Sequence, residues 1–219
     1  METSVLRVGR LFIGLFLYAV GIVMTINANL GLSPWDVFHQ GLSNITGITM
    51  GQASILVGFV LVIIDALLGE RIGWGTLSNM LFIGLFIDFF LINKLIPTFQ
   101  GFIPSLIMMS AGMFIIGVGS CFYMGVGLGS GPRDGLMVVL TKRTGKSVGF
   151  IRNSIETGVL VMGYLLGGSV GIGTLFAALT LGSFVQLAFR ILKFDMSSVN
   201  HRFIDQDLKL IYGILGQKQ

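Results

Sequence analysis

A chain of 219 residues that is 53% hydrophobic, only 11% charged and has a mean hydropathy of +0.89 is too apolar for a water-soluble domain; it reads as a bilayer protein. Its net charge of +4 and pI near 9.5 would fit a nucleic-acid binder, but the basic residues stand at the ends of apolar runs and form no aromatic-interleaved face, so nucleic acid is excluded as a partner. The single cysteine, Cys121, lies inside an apolar run, which rules out an intrachain disulfide and reads as a buried structural thiol.

Arg7 and Arg10 precede the first apolar run, and no small-x-small cleavage site follows it, so it is read as an uncleaved first span. Runs of spanning length lie at about 8–28, 50–68, 74–93, 103–124, 148–167 and 173–194, each near the ~20 residues that ~30 Å of hydrocarbon requires. The 32 glycines fit close helix packing and broken helices. Between the first and second runs, and between the fourth and fifth, lie two segments of another kind, about 30–48 and 128–147. The first carries Gly31-Leu32-Ser33-Pro34-Trp35-Asp36 and the second Gly129-Ser130-Gly131-Pro132-Arg133-Asp134. Each motif is expected to open a short helix. Ser33 suits the N-cap, Pro34 and Pro132 the first helical position, and Asp36 and Asp134 the first turn, where a carboxylate caps back and favours the dipole. From Pro34 to Asn44 is about 16 Å of helix, half the hydrocarbon thickness.

The two motifs are part of a longer self-similarity. Residues 14–90 overlay 112–188 without a gap, at an offset of 98. Gly14 meets Gly112, Gly21 meets Gly119, Gly51 meets Gly149, and Gly73-x-Gly75-Thr76-Leu77 meets Gly171-x-Gly173-Thr174-Leu175. Shared membrane composition scatters Gly and Leu matches, but proline, aspartate and a Gly-x-Gly-Thr-Leu cluster in one register indicate a duplication. The expected fold is an all-α membrane protein of six transmembrane helices plus two short half-helices, a twofold internal repeat with residues 1–98 and 99–194 as its units. With re-entrant motif helices each unit crosses three times and the halves are inverted. With spanning ones each crosses four times and the halves are parallel; segment length and the Lys/Arg distribution favour the former. Either way the termini and the Lys142-Arg143-Lys146 cluster face the cytoplasm of a bacterial inner membrane. Residues 195–219 form a cytoplasmic tail in which Ile204, Leu208, Ile211 and Leu215 mark the stripe of an amphipathic helix, lying on the interface or docking a partner.

No Walker sequence, Gly-x-Ser-x-Gly elbow or His/Cys/carboxylate cluster at metal spacing occurs, so neither an enzyme, a cofactor nor a metal site is expected. Ionisable residues at membrane depth are the better lead. Asp65, near a helix end, and Arg152, near a helix start, are expected to reach water as interfacial anchors. Asp88, inside the third run, and Glu156, four residues after Arg152, are candidates for ion or proton coupling, with an Arg152–Glu156 pair as the plainer reading of the latter. Asp36 and Asp134 can be simple caps, but the motif occurs twice at membrane depth. This favours a site where two half-helix N-termini meet, lined by Ser33, Asp36, Arg133 and Asp134 and walled by Trp35. Gly31, Pro34, Gly129, Gly131, Pro132 and Gly135 permit the backbone geometry. Two aspartates and one arginine suit a cation or zwitterion better than an anion.

The run Gly127-Leu128-Gly129-Ser130-Gly131-Pro132-Arg133-Asp134-Gly135, following an apolar helix, resembles the Gly-x-Gly-Ser-Gly-Pro-Arg-Asp-Gly stretch of the YczE/YyaS/YitT-type family of bacterial integral membrane proteins, and the likeness extends over about 8–194. The first copy departs by having Trp35 in place of the arginine. The resemblance implies a bacterial inner-membrane protein and raises transport as its activity. The expectation is a secondary transporter or channel for a small polar solute, in contact with the bilayer and able to form homo-oligomers. The alternative is a membrane scaffold that docks a cytoplasmic partner through the basic loop and the C-terminal helix.

Overall fold

The computed structural model describes residues 4–207. The apolar runs and the two proline-led segments become eight α-helices: α1 (Ser4–Asn27), α2 (Pro34–Thr46), α3 (Met50–Leu67), α4 (Trp74–Ile92), α5 (Phe102–Met124), α6 (Pro132–Thr144), α7 (Val148–Leu165) and α8 (Ile172–Ile191), followed by a 3₁₀ turn, Met196–Ser198. Among the described residues the chain is all-helical. Five helices, α1, α3, α4, α5 and α8, are long and apolar enough to cross a bilayer. The run expected as the fifth of six spans, now α7, is less apolar because Arg152, Asn153, Ser154 and Glu156 interrupt its 18 residues. α2 and α6 have 13 residues each, about 20 Å, with proline at the first turn and a glycine, Gly47 or Gly145, ending each. Ser33 does hold the N-cap position of α2, but its hydroxyl donates to Asp36 Oδ2 at 2.5 Å and accepts no backbone N–H.

Apolar burial alone does not draw helices together in lipid, whose tails are as apolar as leucine; close backbone approach does. α1 and α5 cross on four glycines. A Cβ on Gly14 would stand 2.9 Å from the Gly119 carbonyl oxygen and one on Gly21 2.6 Å from that of Gly112, with the reverse distances 2.8 and 2.7 Å. Around this crossing Leu11, Leu15, Ala19, Ile22 and Val23 of α1 are buried with Ile83, Ile87 and Phe90 of α4 and Ile116 and Tyr123 of α5.

The starts of α4 and α8 are held by backbone from the far half of the chain. Gly75 N–H donates to the Leu128 carbonyl at 2.7 Å, and Gly173 N–H donates to the Leu30 carbonyl at 2.7 Å. Thr76 and Thr174 close each seat, accepting from Gly73 N–H at 3.3 Å and Gly171 N–H at 3.1 Å. The two repeated motifs are therefore partners: each Gly-x-Gly-Thr cluster sits on the other half's Leu-Gly turn. The proline-led helices also pack across the halves. α2 lies on α7, where Gly163 abuts the backbone of Val37 and Phe38, and α6 lies on α3, where Gly135 abuts Asp65.

The helix pairs α3–α4 and α7–α8 differ. Gly51 and Gly84 bring α3 and α4 so close that a Cβ on Gly51 would stand 2.1 Å from the Gly84 carbonyl oxygen. Residues 98 further on, Gly149 and Gly182, have nothing within 4 Å of such an atom, and α7 and α8 stand apart. After α8 the chain turns back beneath the loops: Arg202 N–H donates to the Gly127 carbonyl at 2.7 Å and Ile204 N–H to that of Ile72 at 3.1 Å. Trp74 Nε1 reaches Asp207 at 3.1 Å. Leu208, Ile211 and Leu215, three of the four residues of the expected amphipathic stripe, lie outside the described residues.

Candidate functional site

The N-termini of α2 and α6 converge. Ser33, Pro34 and Trp35 from one and Gly131, Pro132, Arg133 and Asp134 from the other line a single cavity of about 370 Å³. Tyr18 of α1, Asn79 of α4 and Tyr123 of α5 contribute to its walls, and Arg152 and Glu156 of α7 and Gln186 of α8 line the side where those two helices separate.

Arg133 joins the two half-helices. Its guanidinium lies over the Trp35 ring, 4.7 Å from the centroid, and Nη2 is 3.3 Å from His39 Nε2. An arginine N–H only donates, so Nε2 is the acceptor and the ring proton sits on Nδ1, which faces Asp36 Oδ1 at 3.6 Å. Ser33, Asp36, His39, Arg133 and Trp35 thus form one connected group spanning α2 and α6. His39, 1% exposed, was not among the expected site residues; its place three residues after Asp36 on the same helix face was the available signal.

Asp36 itself is 3% exposed and set back from the cavity, held by Ser33 and His39, whereas the sequence pattern placed it on the cavity wall. Asp134 is on the wall, its Oδ2 facing the Tyr123 hydroxyl at 3.4 Å. Arg152 and Glu156 pair at 2.8 Å along one face of α7. The expectation that Asp65 reaches water is overturned: α6 covers it, leaving it 3% exposed against Gly135. Asp88 is away from the cavity. It accepts from Gly51 N–H at 2.8 Å and from the Thr49 hydroxyl, adding to the Thr49–Gln52 capping box at the N-terminus of α3 and clamping α4 to it. The residue 98 positions on, Gln186, lines the cavity and makes no such clamp on α7.

The cavity wall therefore carries two guanidinium groups, Arg133 and Arg152, and two carboxylates, Asp134 and Glu156. That balance fits a solute bearing both charges, or a cation seated by Asp134 beside the aromatic rings of Tyr18 and Tyr123. Among the described residues no group of three or more His, Cys, Asp or Glu side chains is placed to hold a metal ion.

Residues 5–190 match the family described as DUF6198, a family of unknown function. The chain is 40% identical over 185 residues to the uncharacterized membrane protein YczE of Bacillus subtilis (strain 168), covering 83% of this chain and 84% of that one. It is 34% identical over 182 residues to an uncharacterized protein of Haemophilus influenzae, 83% of each chain. It is 28% identical over 193 residues to the uncharacterized protein YyaS of B. subtilis, covering 87% and 96%. The resemblance read from the Gly-Pro-Arg-Asp-Gly run is borne out. No solved structure matches the chain.

Proposed function

The chain belongs to the DUF6198 family and is a membrane protein, and from that premise we propose that it is a secondary transporter or channel for a small zwitterionic or cationic solute. In this reading α7 is the sixth span, α2 and α6 are re-entrant half-helices, and the halves are an inverted repeat in a bacterial inner membrane with both described ends on the cytoplasmic side. In the same reading its activity is movement of the solute and not its chemical conversion.

The observation behind the proposal is a charged cavity between two half-helix starts, shut on one flank and parted on the other. Between α3 and α4 the Gly51–Gly84 contact and the Asp88 clamp close it; between α7 and α8 the corresponding Gly149 and Gly182 stand free. If the two flanks exchange these arrangements, the cavity opens to each side of the membrane in turn, which is how inverted repeats give alternating access. The scaffold reading has less behind it. Lys142 is engaged with Glu70 at 3.1 Å, Arg143 with the Leu68 carbonyl at 2.9 Å, and the segment after α8 docks on the chain's own loops.

Uptake into proteoliposomes tests it, with glycine betaine as the zwitterionic probe, choline as the cationic one and acetate as the anionic control. Wild-type protein takes up one of the first two and not the third. Asp134→Asn, unchanged in melting temperature, takes up neither; full uptake by that variant refutes the assignment.

A further inference from the structure

Asp65 stands in the seam between the halves. It lies two residues from the end of α3, 3% exposed, with Oδ2 2.5 Å from where a Cβ on Gly135 would be, so its carboxyl fills the space which that glycine leaves in α6. Oδ1 is buried and has no hydrogen-bond partner. The charged groups facing it are Asp134, the neighbour of Gly135 on α6, and Glu70 on the turn after α3, both acidic. The cations of the same seam are committed elsewhere, Lys142 to Glu70 and Arg143 to the Leu68 carbonyl. The contact 98 residues on, Val37 against Gly163, has no carboxyl, so Asp65 is an addition made on one side only.

A dry carboxylate with no donor and two acidic neighbours is strongly disfavoured, whereas the neutral acid is tolerated. A metal ion would want further ligands, and no such cluster exists among the described residues, so the ligand that suits this carboxyl is a proton. We propose that Asp65 is a proton-binding site whose protonation is linked to the movement of α6 on α3, a role that rests on the transport reading above. While the two helices are in contact Asp65 is the neutral acid. When α6 moves off and water enters, its O–H bond breaks, the proton passes to water and the carboxylate is left hydrated. Asp134, one residue from Gly135, moves with α6, so the solute-binding cavity and the proton site change together.

Infrared spectra of the full chain in lipid vesicles test this without any solute. At about pH 7 the wild type shows the carbonyl stretch of a protonated carboxylic acid, and Asp65→Asn lacks it. The unfolding midpoint gives a second readout. Between about pH 5 and about pH 8 the wild type loses stability relative to Asp65→Asn, which mimics the neutral acid; the titrations that both chains share, His201 among them, cancel in that difference. Spectra that superimpose, or a wild type that gains on the variant as pH rises, overturn the proposal. Should Asp65→Asn fail to fold, Asp65→Ser replaces it, and titration of the wild-type band decides: a band already gone below about pH 5 overturns the site. Absent uptake of glycine betaine and choline with the band present counts against the transport reading and leaves the proton site standing.

Discussion

Replacing Gly171 or Gly73 with alanine separates close approach from backbone strain. Both residues are extended, with φ −156° and −108°, so alanine adopts their conformation freely and any cost comes from what its methyl meets. At Gly171 that is the Leu30 carbonyl oxygen at 2.4 Å, and at Gly73 the Leu128 carbonyl oxygen at 2.0 Å; both are backbone and neither rotates away. The seat has to part. Overpacking of this kind costs about 1–3 kcal/mol, and the adjoining N–H···O bond of Gly173 or Gly75 adds about 1 kcal/mol, giving about 2–4 kcal/mol for each variant. Gly69 and Gly167 are the controls. They sit at φ +85° and +86° with nothing closer than 3.9 Å, so alanine there pays only for the left-handed conformation, about 1–2 kcal/mol. Denaturant titration in mixed micelles, followed by the fluorescence of Trp35 and Trp74, measures all four. A neutral Gly171→Ala, or a Gly69→Ala as costly as Gly73→Ala, would show that these seats do not hold the starts of α4 and α8.

Arg133→Lys keeps the charge but loses the planar fork over Trp35 and the bond to His39, so stability falls by about 1–2 kcal/mol. In a Trp74→Phe background the emission of Trp35 shifts with it; an unchanged spectrum and midpoint would contradict the stacked arrangement. His201, in the segment docked beneath the loops, has a buried Nδ1 without a partner, and burial pushes its pKa below the ordinary histidine value. The undocked segment therefore binds a proton that the docked one refuses, and docking weakens as pH falls below about 6.5, with no effect above about 7.5. Hydrogen exchange over 199–207, corrected for its intrinsic pH dependence, rises in acid for the wild type and not for His201→Phe; tighter docking in acid would reverse the sign.

The helices were legible because glycine and proline punctuate the apolar runs: the expected 50–68 and 74–93 became Met50–Leu67 and Trp74–Ile92, and Pro34 and Pro132 start helices as read. The offset of 98 told which residues are alike but not which touch, and the reciprocal seating of Gly73–Thr76 on Leu128 and of Gly171–Thr174 on Leu30 follows from topology alone. Arg133, Asp134 and Trp35 came together as expected because two helix starts converge. Asp65 was misread for a physical reason: nearness to the end of an apolar run predicts water only if nothing covers that end, and α6 does. The contact of Asp88 with the N-terminus of α3 joins residues 37 positions apart, where no local pattern reveals it.

The exchanged seats also dictate an order of maturation. A ribosome delivers Gly75 long before Leu128 emerges, so the first half leaves the translocon with an amide that has no acceptor until its twin arrives. A chain truncated before residue 128 never gains that acceptor. A polypeptide severed between residues 98 and 99 keeps both acceptors, and its two fragments, made in one cell, complete each other.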